Sequence, residues 1–294
     1  MGEAVTSSLS QVFSILPFFG LLFVALYLGK LVYDKTTSYH FDDELTNKDN
    51  PAFGAHLALY MVGLAIALTG VLFGASTDVE NLGREFGSMA IYAALAIILV
   101  RLSVWVNDRC ILNKFSIEKE MIQDRNVGTA FVVGGSCVAT GLIINGAMTG
   151  FSEGILQGIR DVVIYFAVGQ VILIAGSHVF QAITSYDVHQ VIEHDNNVAA
   201  GISFGGFLVA LGIITRASLV GASSDILAEI VTTLIIAAIG IVILVAARVI
   251  ADRVILPKSP LSKEVAVDKN AGAAAVAASV FICLALVFSA AITI

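Results

Sequence analysis

The chain has 294 residues, 57% hydrophobic and only 13% charged, with a mean hydropathy of +0.91. A soluble domain carries about a quarter charged residues, so too few charges are present to coat a globule; a soluble enzyme, a disordered chain and a disulfide scaffold are excluded in favour of an integral membrane protein. The net charge of −7 offers no basic face to nucleic acid, and three cysteines, Cys110, Cys137 and Cys283, make no disulfide framework.

Taken in chain order, eight apolar blocks are long enough to cross a bilayer as helices: 13–33, 52–76, 86–106, 127–148, 162–183, 198–215, 226–247 and 271–294. Each approaches the 20 or so residues that a spanning helix needs, and none shows the alternation of a membrane β-barrel strand. Met1 to Ser14 holds no Lys or Arg, unlike the positive start of a secretory signal, so the first block reads as a retained span. The longer connections, 34–51, 107–126, 184–197 and 248–270, are too short to form a catalytic domain. They follow spans 1, 3, 5 and 7 and, with the flanking helix ends, hold thirteen of the sixteen Lys and Arg residues. The remaining three are Arg84, Arg160 and Arg216. The bias predicts that these connections face the cytoplasm, with both termini on the outer side.

The sequence repeats itself at two levels. A shift of 147 residues lays Thr37-Ser38-Tyr39 on Thr184-Ser185-Tyr186 and Gly74-Ala75-Ser76 on Gly221-Ala222-Ser223. A shift of 144 lays residues 108–130 on 252–274 with 11 of 23 positions identical. Within each half, Asn50, Asn126, Asn197 and Asn270 recur just before the even-numbered spans, followed two residues later by Ala52, Gly128, Ala199 or Gly272. Six positions before Asn stands Glu44, Glu120 or Glu264, with Val191 in the third copy. Two positions before it stands Asp124, Asp195 or Asp268; the first copy has Lys48, with Asp49 beside it. The unit is therefore an outer helix, a polar loop carrying E-x3-D-x-N-x-[AG] and a return helix, present four times. Because each unit crosses twice, all four share one orientation and are parallel repeats. The expected architecture is all-α: residues 1–147 and 148–294 form two tandem four-helix repeats about a pseudo-twofold axis along the membrane normal. The four loops are expected to meet on one face. Even spans are rich in Gly and Ala, which permits close helix approach, so they are expected at the centre, with bulkier odd spans toward lipid; a dimer seam is the alternative use of the small residues.

Asp and Asn before a helix are good N-caps, and capping alone accounts for part of the motif. The Glu six residues before Asn lies beyond capping reach, and four acidic loops around one axis would resemble the lining of a cation pathway. Close carboxylates raise one another's pKa and can exchange protons. The candidate ion-binding set is Glu120, Asp124, Asn126, Glu264, Asp268, Asn270, Asn50, Asn197, Asp195 and Asp49. Arg109 and Arg253 suit topology and anionic lipid, with gate ion pairs to Asp108 or Glu120 as the alternative. His189 and Glu193, spaced i, i+4, are weak metal candidates matching no firm zinc signature. Intramembrane polar residues are sparse: Arg101, Asn145, Gln170, His178, Glu229 and His56. No nucleotide loop, triad or haem pattern is present, so no enzymatic activity and no cofactor are expected.

The segments KEMIQDRNVG, KEVAVDKNAG, HDNNVAAGISFGG and KDNPAFGA, within two tandem four-helix units, resemble the YjfL-like family of bacterial inner-membrane proteins. The resemblance covers nearly the whole chain and implies a duplicated domain and an inner-membrane location. The sequence-level reading is an inner-membrane protein that moves a small cation or proton through an acidic cytoplasmic-side cluster. The alternative is a non-transporting subunit whose motif loops dock a cytoplasmic protein. Expected partners are the lipid bilayer and the cation, with self-association open.

Overall fold

The computed structural model describes residues 2–72, 82–150, 154–221, 225–255 and 257–293. The Gly74-Ala75-Ser76 segment and the end of the expected second span lie outside them, as do Ala222 and Ser223. Every regular element among the described residues is helical. Outer helices α1 (Gly2–Lys35), α3 (Leu82–Val106), α5 (Ile155–Ile183) and α8 (Ile226–Ile250) alternate with inner helices α2 (Pro51–Gly70), α4 (Val127–Met148), α7 (Val198–Leu219) and α10 (Ala271–Ile292). Two short helices, α6 (Val188–Asp195) and α9 (Leu261–Ala266), lie in the connections. Seven of the eight long helices have the length and composition to cross a membrane; α1, which contains the expected first span, is not among those seven. The chain is a multi-pass membrane protein.

Observed boundaries depart from the hydropathy blocks where polar residues find partners. The fifth helix begins at Ile155 rather than 162, taking in Arg160 and Asp161, which bond each other at 2.8 Å. At the far ends of α3 and α8 the backbone widens into π turns, Asn107–Ile111 and Ala251–Ile255.

The helices form two layers. In the inner layer α2, α4, α7 and α10 stand in a row, each packed closely on the next. In the outer layer α3 rests on α2 and α4, α5 on α4 and α7, and α8 on α7 and α10, while α1 packs on α3 and α2. The expected separation of small central helices from bulky lipid-facing ones holds for the middle of the row: 83% of the apolar window of α4 is buried. At the end of the row the figure for α10 falls to 22%. The outer helices expose Phe23, Ile98, Leu227 and Val242.

The row is tight because glycines stand at the closest points of its seams. A Cβ on Gly141 would lie 2.0 Å from the Gly63 carbonyl oxygen, and one on Gly201 2.2 Å from that of Gly128. A Cβ on Gly135 would lie 2.7 Å from the Gly205 carbonyl oxygen. Backbones that approach this closely gain dispersion contacts that larger side chains would prevent. The register repeats from seam to seam. The residue nine after the motif Asn meets the residue eight after the next one: Leu59 against Gly134, Gly135 against Gly205, and Gly206 against Ala278.

Candidate functional site

The four motif loops share one backbone design. The residue before each motif Asn has positive φ: Asp49 at 46°, Arg125 at 51°, Asn196 at 49° and Lys269 at 49°. This left-handed residue ends the preceding helical turn, as at a helix C-terminus, and the Asn then opens the return helix with an extended conformation. Asn50 Oδ1 accepts from the amides of Ala52 and Phe53, and Asn126, Asn197 and Asn270 accept from those of Thr129, Ala200 and Ala273. The capping half of the sequence reading is therefore met in all four copies.

The Glu six residues earlier completes a clasp. Asn50, Asn126 and Asn270 each donate from Nδ2 to Oε2 of Glu44, Glu120 and Glu264, all at 2.9 Å. Their backbone amides donate to the carbonyl oxygens of the same three glutamates, at 2.8–2.9 Å. Glu44 and Glu120 are almost fully buried within π turns Asp43–Asn47 and Lys119–Gln123. Glu264 makes the same clasp from the short helix α9. The third copy, with Val191, has no such carboxylate and builds the loop from regular helix α6.

The second Nδ2 bond runs between units, always in one direction. Asn50 donates to the Met121 carbonyl at 3.0 Å, Asn126 to that of Ile192 at 2.6 Å, and Asn197 to that of Val265 at 2.8 Å. Each acceptor lies five residues before the next motif Asn. Around these bonds Ser38 reaches Glu118, Lys114 pairs with Asp187 at 2.7 Å, and His189 Nε2 meets the Ile111 carbonyl at 2.8 Å. Lys269 Nζ reaches the Asp195 carbonyl at 2.8 Å.

The expected meeting of the loops around a shared acidic cluster is corrected by this geometry. The loops are strung along the row, and each clasped carboxylate is taken up within its own unit. Among the described residues no three His, Cys, Asp or Glu side chains converge to hold a metal ion. Asp124 is paired with Lys119 at 2.8 Å, and that bond holds its carboxyl below the ordinary range. Asp268 pairs with Lys263 and Asp195 with Lys269, both at 3.7 Å, and Asp49 is exposed at its left-handed position. The Asn270 amide lowers the pKa of Glu264. His189 is committed to the Ile111 carbonyl and does not join Glu193 in a ligand set. Arg109 lies 3.9 Å from Asp108 in an exposed pair.

One repeated contact escaped the sequence reading. The last turn of each outer helix supplies a side-chain oxygen that accepts from the amide nine residues before the motif Asn. Asp34 takes that of Phe41, Asp108 that of Ile117, Gln181 that of Val188, and Asp252 that of Leu261. The signal was present, since an acid or amide stands 16 or 18 residues before every motif Asn, but the uneven spacing hides it.

Beside the first two loops a cleft of about 690 Å3 opens. Tyr33, Tyr39, Ile98, Leu102 and Trp105 line it, with Arg101, Asp108 and Glu118 among its polar residues. Arg101 Nε bonds the Thr36 hydroxyl at 2.7 Å, and its guanidinium lies over the Tyr33 ring.

No curated protein and no solved structure matches the chain. A family profile described as Domain of Unknown Function (DUF350) matches it twice, over residues 7–148 and 154–292. The two matches divide the chain as its own repeats do and agree with the YjfL-like resemblance. The chain therefore belongs to the DUF350 family, as a tandem duplicate of its domain.

Proposed function

We propose that this protein is a non-transporting membrane subunit whose motif face, in the cytoplasm by the Lys and Arg bias, docks a partner protein. The observation that carries the reading is the fate of the motif side chains. Asn and Glu are spent on holding four loops in one cross-braced row, which makes a stiff platform at one end of the bundle. A preorganised surface costs less to bind than one that must be ordered. The cleft between Tyr39 and Trp105, apolar with a few charged groups, is a concave place beside that platform and the docking point we assign.

Cation or proton movement is the second reading, favoured by two carboxylates, Glu44 and Glu120, held almost fully buried. Proteoliposome flux separates the two. The docking reading expects purified protein to leave imposed pH and cation gradients as stable as in empty liposomes. A photoreactive residue at Leu102 should then crosslink protein in native membranes, while one at Val242 on α8 crosslinks lipid. Gradient dissipation that Glu120→Gln abolishes, in protein that still folds, would establish transport and overturn docking.

A further inference from the structure

The inner row is an open array. Each unit presents a donor face to the next unit and an acceptor face to the previous one, and the three internal seams use the same positions. Two faces are left over, the donor face of the fourth unit on α10 and the acceptor face of the first unit on α2. Asn270 has kept its cap and its Glu264 bond but, unlike the other three, is exposed and makes no bond to a following loop. The residue that would receive its amide, five before a motif Asn, is Leu45 of the first unit.

We propose that a second copy of this chain covers the α10 face, head to tail, with its own α2 in the register of the internal seams. The open faces have the character of the buried ones. On α10 the line reads Gly272, Ala275, Ser279, Cys283 and Ala290, all exposed, with Val276, Leu286 and Val287 beside it. On α2 it reads Gly54, Ala58 and Ala65, exposed or partly so, with Val62 beside them. Lipid-facing α8 instead exposes Leu227, Val231, Ile235 and Val242. The first-turn geometry also matches, since Gly272 opens α10 as Gly128 opens α4, where Gly128 lies against the next motif Asn.

The internal seams fix the pairing. Nine-to-eight contacts put Ser279 of one copy against Ala58 of the next. The residue thirteen after the Asn meets the residue fifteen after the following one: Gly63 against Gly141 and Ala139 against Gly212. In the α7–α10 seam Ala210 and Ala285 hold these positions and both are fully buried. In the new seam they are Cys283 and Ala65. Such an interface is heterologous, and repetition either closes a ring or extends a filament.

Disulfide crosslinking in native membranes tests this. With Cys110→Ser as background, Ala65→Cys supplies a partner for the natural Cys283. Oxidation should convert monomer into dimer and larger species, either a closed band or a ladder. Val242→Cys in the same background should leave it monomeric. Adding Ser279→Trp, which fills the exposed line of α10 without touching an internal seam, should abolish the Ala65→Cys crosslink while the melting temperature stays unchanged. Two results would overturn the proposal. One is a Cys283–Cys283 crosslink in the background protein, which marks a back-to-back pair of α10 helices. The other is a folded Ala65→Cys protein that stays monomeric on oxidation and runs as a single copy in nanodiscs.

Discussion

The four motif asparagines look alike in sequence but do unequal work. Asn126 caps α4, bonds the buried Glu120 and holds the Ile192 carbonyl. Removing a cap costs about 1 kcal/mol. Leaving a buried charged group short of a partner adds roughly 1–3 kcal/mol. Asn126→Ala should therefore lower stability by about 3 kcal/mol, and Asn270→Ala by about 1, because Asn270 is exposed and bonds no following unit. Thermal melting of the two variants in detergent checks this, and equal losses would contradict it. The sequence made the caps legible, since Asn before a small residue and an apolar run is a local signal. The direction of the amide bond was hidden, because Met121, Ile192 and Val265 accept through backbone oxygens and their side chains carry no trace of it. The left-handed residue was hidden too: Asp, Arg, Asn and Lys occupy it, and none is the glycine that would have marked it.

Between elements, glycine content separates seam from surface only when neighbours are known. Gly141 and Gly87 both sit inside long helices. A Cβ on Gly141 would strike the Gly63 carbonyl, whereas nothing lies within 4 Å of a Cβ on Gly87. Gly87→Ala should gain about 0.5–1 kcal/mol from helix propensity alone. Gly141→Ala must push α2 and α4 apart, and overpacking of this kind costs typically 1–3 kcal/mol. Melting temperatures should therefore move in opposite directions, and a common direction would show that the α2–α4 seam is looser than described. Hydropathy located the spanning helices from α2 to α10, but not the π turns at their ends. Those turns leave the apolar pattern unchanged.

At the scale of the molecule, four similar units can close around an axis or stand in a line. Both arrangements use the same periodicity, the same small residues and the same acidic loops, so the repeat in the sequence served either. What decides for the line is one-way bonding: unit one holds two, two holds three, three holds four, and the fourth donor face stays open. A ring would have brought the acids together and favoured ion handling; a row keeps them apart and gives a platform with free ends. The most direct test is a pair of distances between spin labels placed three residues before the motif Asn, at exposed positions. Asn47→Cys is paired with Gln123→Cys in one protein and with Val267→Cys in another, each replacing Cys110 and Cys283 by Ser and diluted with unlabelled chain. Helices packed about 8 Å apart put the first pair one step apart and the second three steps apart, a further separation of roughly 16 Å along the row. Pulsed electron–electron resonance should find the second distance clearly longer than the first. Equal distances would mean that the units close around a common axis, and the linear account would be wrong.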